Sequence, residues 1–346
     1  MKGSAASALA PGRRRLARRL RPVSIVLAGL APLLVVTGCN PLSGLSSSGS
    51  TQVIKVGAVP GIDNANLYVA VHGGYFARAG VSVKIVRFTT VSKEIAALND
   101  GTVNAIAADY GDMFYAEAAA ANPIYRVLAD GYDAAPGVSE ILTMPDSTVK
   151  SPGDLAGQTI PVPNTDMVNA PAGVPNTLAV ASANAVLQSD GVNLAGVTFK
   201  PMPQGKEIVG LSNGTYKAAL LTGLDIYLAQ QQGAVELIDA CSGPTAQIPL
   251  DGFFTTGAWV SSSQNAKAAR AFQQGIYAAD AAAALPGPIQ SALPAYAGFT
   301  PEEAHLVTTG TYPLSTIAAN LQRTADLIEA QSMTKTEVNV APMLVR

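Results

Sequence analysis

The chain has 346 residues, 48% apolar, 13% charged and 6% aromatic, with two histidines and two cysteines. That length suits two domains with a buried core, and the apolar share excludes a wholly disordered chain. The formal charge is −2, but residues 1–38 carry seven bases and no acid, so the remaining body is formally −9; an acidic body without a basic stripe argues against nucleic-acid binding.

The N-terminal segment reads as an address. Lys2 and six arginines between Arg13 and Arg21 precede an apolar run over 23–36, broken by Pro32. The run is too short for a membrane span of ~20 residues and has signal-peptide anatomy. It ends in Val36-Thr37-Gly38-Cys39. Small residues directly before a cysteine resemble a bacterial lipobox, in which cleavage precedes the cysteine and its thiol carries a diacylglyceryl group. Residues 1–38 are then a lipoprotein signal peptide, and 39–52 a lipidated tether rich in Gly and Ser. Two acyl chains anchor durably. The expected location is extracytoplasmic, with Cys39 holding the chain at the outer face of the bacterial cell membrane. Arg13-Arg14-Arg15 lacks the full twin-arginine motif, so the general export route ranks first. With Cys39 lipidated, Cys241 has no disulfide partner and reads as a buried structural thiol.

Along the body, alternating β-branched residues predict a strand over 53–60. A turn at 61–64 and a helix over 66–76 follow, then a strand over 81–88. Ser92 is placed to cap a helix over 93–99. A strand over 103–108 and a helix over 112–121 complete a β-α-β-α-β alternation, which predicts a mostly parallel sheet wrapped by helices. The pattern restarts with strands over 140–144 and 158–161 around a short helix capped at Ser151. A Pro/Gly/Asn-rich loop at 165–175 precedes a helix over 176–188. Strands over 197–201 and 218–222 flank a helix over 206–213, and another helix begins near Tyr227. A strand over 254–260 and helices over 266–284, 301–306 and 314–331 form the tail. The expectation is two α/β lobes in series.

Most catalytic chemistry is missing. His72 and His305 both read as surface residues of helices. There is no HExxH, Walker A, GxSxG, zinc-spaced cysteine set or calcium loop, and Pro60 spoils any dinucleotide loop after the first strand. No metal or cofactor is expected. The carboxylate pairs Asp109/Asp112, Asp63/Asp166 and Asp225/Asp251 read as acceptors for a ligand or as helix caps rather than acid–base pairs. Polar residues do collect after strand ends. They are Asp63, Asn64 and Asn66; Thr90 and Ser92; Asp109 and Tyr110; and, in the second lobe, Asn164, Thr165, Asn176, Thr177, Thr222 and Asp225. Asp251 joins them as a later acid. In open α/β sheets ligands sit beyond the carboxyl ends of strands. Each residue alone reads as a cap before a contact; their gathering at two lobe mouths makes them candidate ligand contacts.

At this point the chain resembles the solute-binding lipoproteins of ABC importers in the nitrate, sulfonate, taurine and thiamine-precursor class. The matching stretches run in order: Ile54-Lys55-Val56-Gly57, Gly74-Tyr75-Phe76, Gly80-Val81-Ser82-Val83, and Ala97-Leu98-Asn99-Asp100-Gly101. The stretch 146–157, then Pro249-Leu250-Asp251-Gly252-Phe253 and residues 321–326, continue the series. The resemblance implies an α/β type II periplasmic-binding-protein fold, with two Rossmann-like lobes on a two-segment hinge. Lobe 1 would span 53–135 and 248–346, and lobe 2 would span 136–247. It also implies a monomer that binds a small molecule without turnover and delivers it to an ABC permease with its ATPase. Two features depart from the pattern. The loop 164–175 is long, and no arginine sits in a mouth loop. The mouth acids suit an amine, a pyrimidine or a polar neutral ligand at least as well as an oxyanion. Two alternatives stay open: an enzyme of pyrimidine-precursor synthesis on the same fold, or a ligand-sensing or partner-binding surface lipoprotein.

Overall fold

The computed structural model describes residues 51–120, 123–163, 177–334 and 336–345. The proposed signal peptide, Cys39, Asn164, Thr165 and Asn176 lie outside the described residues.

The first sheet begins as the sequence predicts. Strand β1 (Val53–Ala58) is followed by helices α1 (Ala65–His72) and α2 (Tyr75–Arg78), then β2 (Ser82–Arg87), α3 (Val91–Asn99), β3 (Ala105–Asp109) and α4 (Tyr110–Ala119). Strand β1 pairs in parallel with both β2 and β3. Residues 105–108 of β3 are uniformly buried and apolar, as expected of a strand covered on both faces. The cap of α3 falls on Thr90, whose Oγ1 accepts from Lys93 N at 3.4 Å, and Ser92 lies inside the first turn.

Strand β4 (Tyr125–Asp133) closes the sheet, whose order is β2-β1-β3-β10-β4 with β10 spanning Pro249–Thr256. Strand β10 runs antiparallel to both β3 and β4, so the expected parallel sheet holds one reversed strand. A strand returning from the distant segment after residue 240 can enter between β3 and β4 without a crossover helix, which antiparallel pairing permits.

The chain leaves the first sheet at Asp133 and enters another at β5 (Ser139–Thr143). There follow β6 (Thr159–Pro163), α5 (Thr177–Ser189), β7 (Thr198–Met202), α6 (Lys206–Ser212), β8 (Ala218–Thr222), α7 (Leu224–Gln231) and β9 (Val235–Asp239). Strand β5 is the antiparallel centre of the order β8-β5-β9, and β6 and β7 form a parallel pair. The chain then returns from Asp239 to Pro249, a second crossing beside the first.

The tail holds α8 (Gly257–Val260), α9 (Ser263–Ala283), α10 (Pro286–Tyr296), α11 (Pro301–Leu306) and α12 (Ala318–Ala330). The strand expected to reach Val260 stops at Thr256, because Thr256 Oγ1 accepts from Trp259 N at 3.2 Å and caps α8. On α9, Ala268, Phe272, Ile276 and Ala279 share a helical stripe that covers the sheet beside Ile54, Val56 and Phe253. Gly275 leaves room for Phe76, whose ring a Cβ there would strike. A second apolar cluster, around Ile106, Met113, Phe114 and Phe254, reaches across to Leu178, Ala181 and Cys241 of the second lobe. Smaller clusters around Ile160 and Leu187, and around Leu142 and Leu221, hold the second lobe. Among the described residues, no helix is long and apolar enough to cross a membrane.

Candidate functional site

The strand ends of the two lobes face a cleft with two connected chambers. The inner one, about 120 Å³, has apolar walls from Ile62, Val138, Leu178 and Leu250, with Ser139, Ser182 and Cys241 also in its lining. The outer one, about 690 Å³, is lined by Thr90, Glu94, Asp112, Gln204 and Asp225 among others. Asp63, Asp109, Thr222 and Asp251 line both chambers and so mark the neck where the two adjoin.

Local structure places these four. Asp63 sits in the turn after β1, and Asp109 ends β3. Asp109 Oδ1 accepts from Gly111 N at 2.6 Å and Asp112 N at 3.2 Å, capping α4. Thr222 ends β8, and Asp251 lies in β10, opposite Asp109.

The electrostatics are one-sided. Burial pushes the Asp63 carboxyl up to about 6. Burial, then the Asp63 and Asp109 carboxylates, raise Asp251 well above the usual carboxylate range. Asp109 is raised by burial and by Asp112, and Glu94 chiefly by burial. Asp225 is pushed up to about 6 by burial and by Glu207, while Gln204 Nε2, 3.4 Å from Asp225 Oδ2, opposes the shift. Neither chamber is lined by a lysine, arginine or histidine among the described residues, and the sequence 164–176 contains none. Arg87 donates to Tyr296 O at 2.8 Å and Arg126 to Tyr125 O at 2.7 Å.

Several buried polar atoms in the cleft have no partner: Asp63 Oδ1, Glu94 Oε2, Asp251 Oδ1, Ser139 Oγ and Ser182 Oγ. Buried polar atoms are ordinarily paired, so this concentration points to a ligand's place.

Of the sequence-predicted contacts, Asp63, Asn64, Thr90, Asp109, Thr222, Asp225 and Asp251 line the cleft. Asn64 staples its own loop, accepting from Gly61 N and donating to Val59 O, both at 3.1 Å. Ser92 is absent from both linings. Asn66 and Tyr110 are fully buried apart from the cleft. Asn66 Nδ2 donates to Asp280 Oδ1 at 2.8 Å, and Tyr110 OH donates to Asp130 Oδ1 at 3.0 Å. Thr177 opens α5. Ser139, Ser182, Leu178 and Gln204 were not foreseen; no local motif marks them, since each reaches the cleft from a strand, a helix or a turn of ordinary composition.

Cys241 is 3% exposed, and burial pushes its thiol up to about 12. A thiol held protonated is a poor nucleophile. Among the described residues, no group of three or more His, Cys, Asp or Glu side chains is arranged to hold a metal ion.

Solved structures share this architecture. The alkanesulfonate-binding protein SsuA from Xanthomonas axonopodis pv. citri, bound to MOPS, superposes with a TM-score of 0.63 at 16% identity, covering 84% of this chain and 97% of its own. The periplasmic aliphatic sulphonate binding protein SsuA from Escherichia coli gives 0.66 at 16% identity, covering 84% and 91%. The desulfurization enzyme DSZB gives 0.58 at 15% identity, covering 85% and 96%. At these identities the likeness establishes the fold, which is that of the periplasmic binding proteins. No curated protein matches the chain in sequence. A match over residues 62–286, from the turn after β1 to the start of α10, takes in all but one strand of both lobes, and with it the chain belongs to the NMT1/THI5 like family.

Proposed function

We propose that this protein is the extracytoplasmic solute-binding component of an ABC importer. It captures a small organic solute, of the sulfonate, taurine or nitrate kind or of the thiamine-precursor kind, between lobe 1 (53–135 and 248–346) and lobe 2 (136–247). It delivers that solute to the permease and its ATPase without turnover, as a monomer held to the membrane through lipidated Cys39. The observation that carries this reading is the two-chamber cleft, whose neck residues come from both lobes and whose buried polar atoms lack partners. Such a site is completed when the lobes close on a ligand.

A second reading, an enzyme on the same scaffold, draws on the likeness to DSZB. Against it stand a Cys241 thiol held protonated by burial and the exposed positions of His72 and His305, each of which sits within hydrogen-bond reach of a carbonyl in its own helix.

The test is thermal unfolding of the full-length protein against a panel of sulfonates, nitrate, thiamine pyrimidines, amines and amino acids, with small-angle scattering on any positive. A ligand at 100 times its Kd adds about 2.7 kcal/mol. The importer reading expects one class to raise the melting temperature and reduce the radius of gyration, with the ligand recovered unchanged. A ligand recovered as product would instead establish the enzyme.

A further inference from the structure

We propose that the solute held in this cleft is a small organic cation bearing N–H donors, a protonated alkylamine. Its ammonium group lies at the neck between Asp63, Asp109 and Asp251, and its apolar part lies in the inner chamber. This assignment rests on the reading of the cleft as a solute site and departs from it in the solute's charge, putting a cation where a sulfonate or nitrate would lie.

Three carboxylates from three separate elements stand together where the two chambers adjoin. Asp251 is 3% exposed, yet its Oδ1 has no donor, and Asp63 Oδ1 beside it has none either. Ser182, 2% exposed, presents an unpartnered Oγ to the inner chamber. The two unpartnered carboxylate oxygens at the neck call for donors, and the Ser182 hydroxyl, able to donate or accept, can add to either. An ammonium supplies three donors and a positive charge and accepts nothing, which complements this set.

The alternatives fit less well. An anion needs donors. The N-termini of α3 and α4 at the cleft already have their own caps, Thr90 and Asp109, while those of α1 and α7, which carry no side-chain cap, stand beside the acids Asp63 and Asp225. No cationic side chain lines the described cleft. The neck carboxylates are not grouped as metal ligands. The inner chamber, about 120 Å³ with walls of Ile62, Val138, Leu178 and Leu250, suits a short alkyl chain. Further out, Glu94, Asp112 and Asp225 extend the negative field along the outer chamber, which favours entry of a cation.

The test compares three probes with the same butyl chain at millimolar concentration on the full-length protein: n-butylamine, 1-butanol and butane-1-sulfonate. Calorimetry and thermal unfolding are the readouts. The expected result is binding of the amine alone, weakened about tenfold or more in Asp251→Asn. A pH series on the unaltered protein does not depend on any variant folding. The neck acid Asp63 shares the cleft with Glu94, Asp109, Asp112, Asp225, Asp251, Tyr132 and Cys241 and acts on Tyr296 and Tyr312, with no base among them. Its carboxyl must ionise to pair with an ammonium, so amine affinity rises as pH goes from about 5 to about 7.5. Binding of butane-1-sulfonate without the amine, equal binding of amine and alcohol, or amine affinity that falls as pH rises would overturn the cation assignment while leaving the cleft a solute site. Failure of all three probes would overturn the cation assignment, and the solute-site reading then stands or falls on the wider panel.

Discussion

Asp251 on β10 lies directly opposite Asp109 on β3, so two acids share one cross-strand position at the neck of the cleft. Like charges placed opposite one another destabilise a sheet, and burial raises both carboxyls. Binding sites commonly keep such local strain because function needs it. Asp251→Asn removes one of the two charges and supplies an amide donor. The unliganded variant should therefore melt above the parent at pH 7.5, by roughly 2–4 °C for each kcal/mol gained. A lower melting temperature would mean that Asp251 makes a structural bond that outweighs the repulsion.

Stability should fall as pH rises through neutrality. Burial pushes Asp63 up to about 6 and both Asp133 and Glu140 up to about 7, from ordinary values of 3.8 for Asp and 4.5 for Glu. Between the ordinary and the raised values the folded chain holds protons that the unfolded chain has released. Their contribution is complete below about pH 4 and lost as pH climbs past 7. Asp100 and Asp154, held low by hydrogen bonds in their turns, pull the other way, but both are exposed. The unliganded protein should melt higher at pH 5 than at pH 7.5 in constant salt. A profile that is flat or rises over that interval would contradict the burial of these three carboxyls.

Local pattern reveals an element's type more readily than its partner. Residues 53–119 read correctly as alternating strands and helices because β1 and β3 are short, β-branched or small, and bounded by turns. Strand β4 went unread because Asp130 and Asp133 interrupt it; Asp130 is tolerated inside because Tyr110 donates to it. The reversal of β10 is a tertiary fact that no local window contains. The site divides in the same way. Asp63, Asp109 and Thr222 follow strand ends, where a ligand is expected, and all three reach the cleft. Asn66 and Tyr110 hold equally suggestive positions, yet they turn inward to Asp280 and Asp130. A polar side chain near a strand end can serve either purpose, and only packing decides.

Asn66 gives that distinction a mutational test. Its Nδ2 donates to Asp280 Oδ1 at 2.8 Å and to Gly131 O at 3.2 Å, joining α1, α9 and β4 where the chain approaches its first crossing. Asp280 is fully buried, and its Oδ2 already lacks a partner. Asn66→Ala leaves two more buried acceptors unpaired, so urea unfolding should register a loss of about 2–3 kcal/mol. Because Asn66 lines neither chamber, the folded variant should keep its ligand affinity. Loss of affinity at unchanged stability would make Asn66 a contact after all.

The thiol of Cys241 separates a binding protein from an enzyme that uses a cysteine nucleophile. It lines the inner chamber, close enough to a ligand to invite that role. Burial, assisted by the Asp239 carboxylate, pushes it up to about 12. At pH 8 only about one such thiol in ten thousand is thiolate, against roughly a quarter for an exposed cysteine. Iodoacetamide should accordingly modify Cys241 about a thousand-fold or more slower in the native protein than in urea, with the label assigned by peptide mass. Native labelling as fast as in urea would mean an accessible thiolate, and would shift the balance toward covalent chemistry in the cleft.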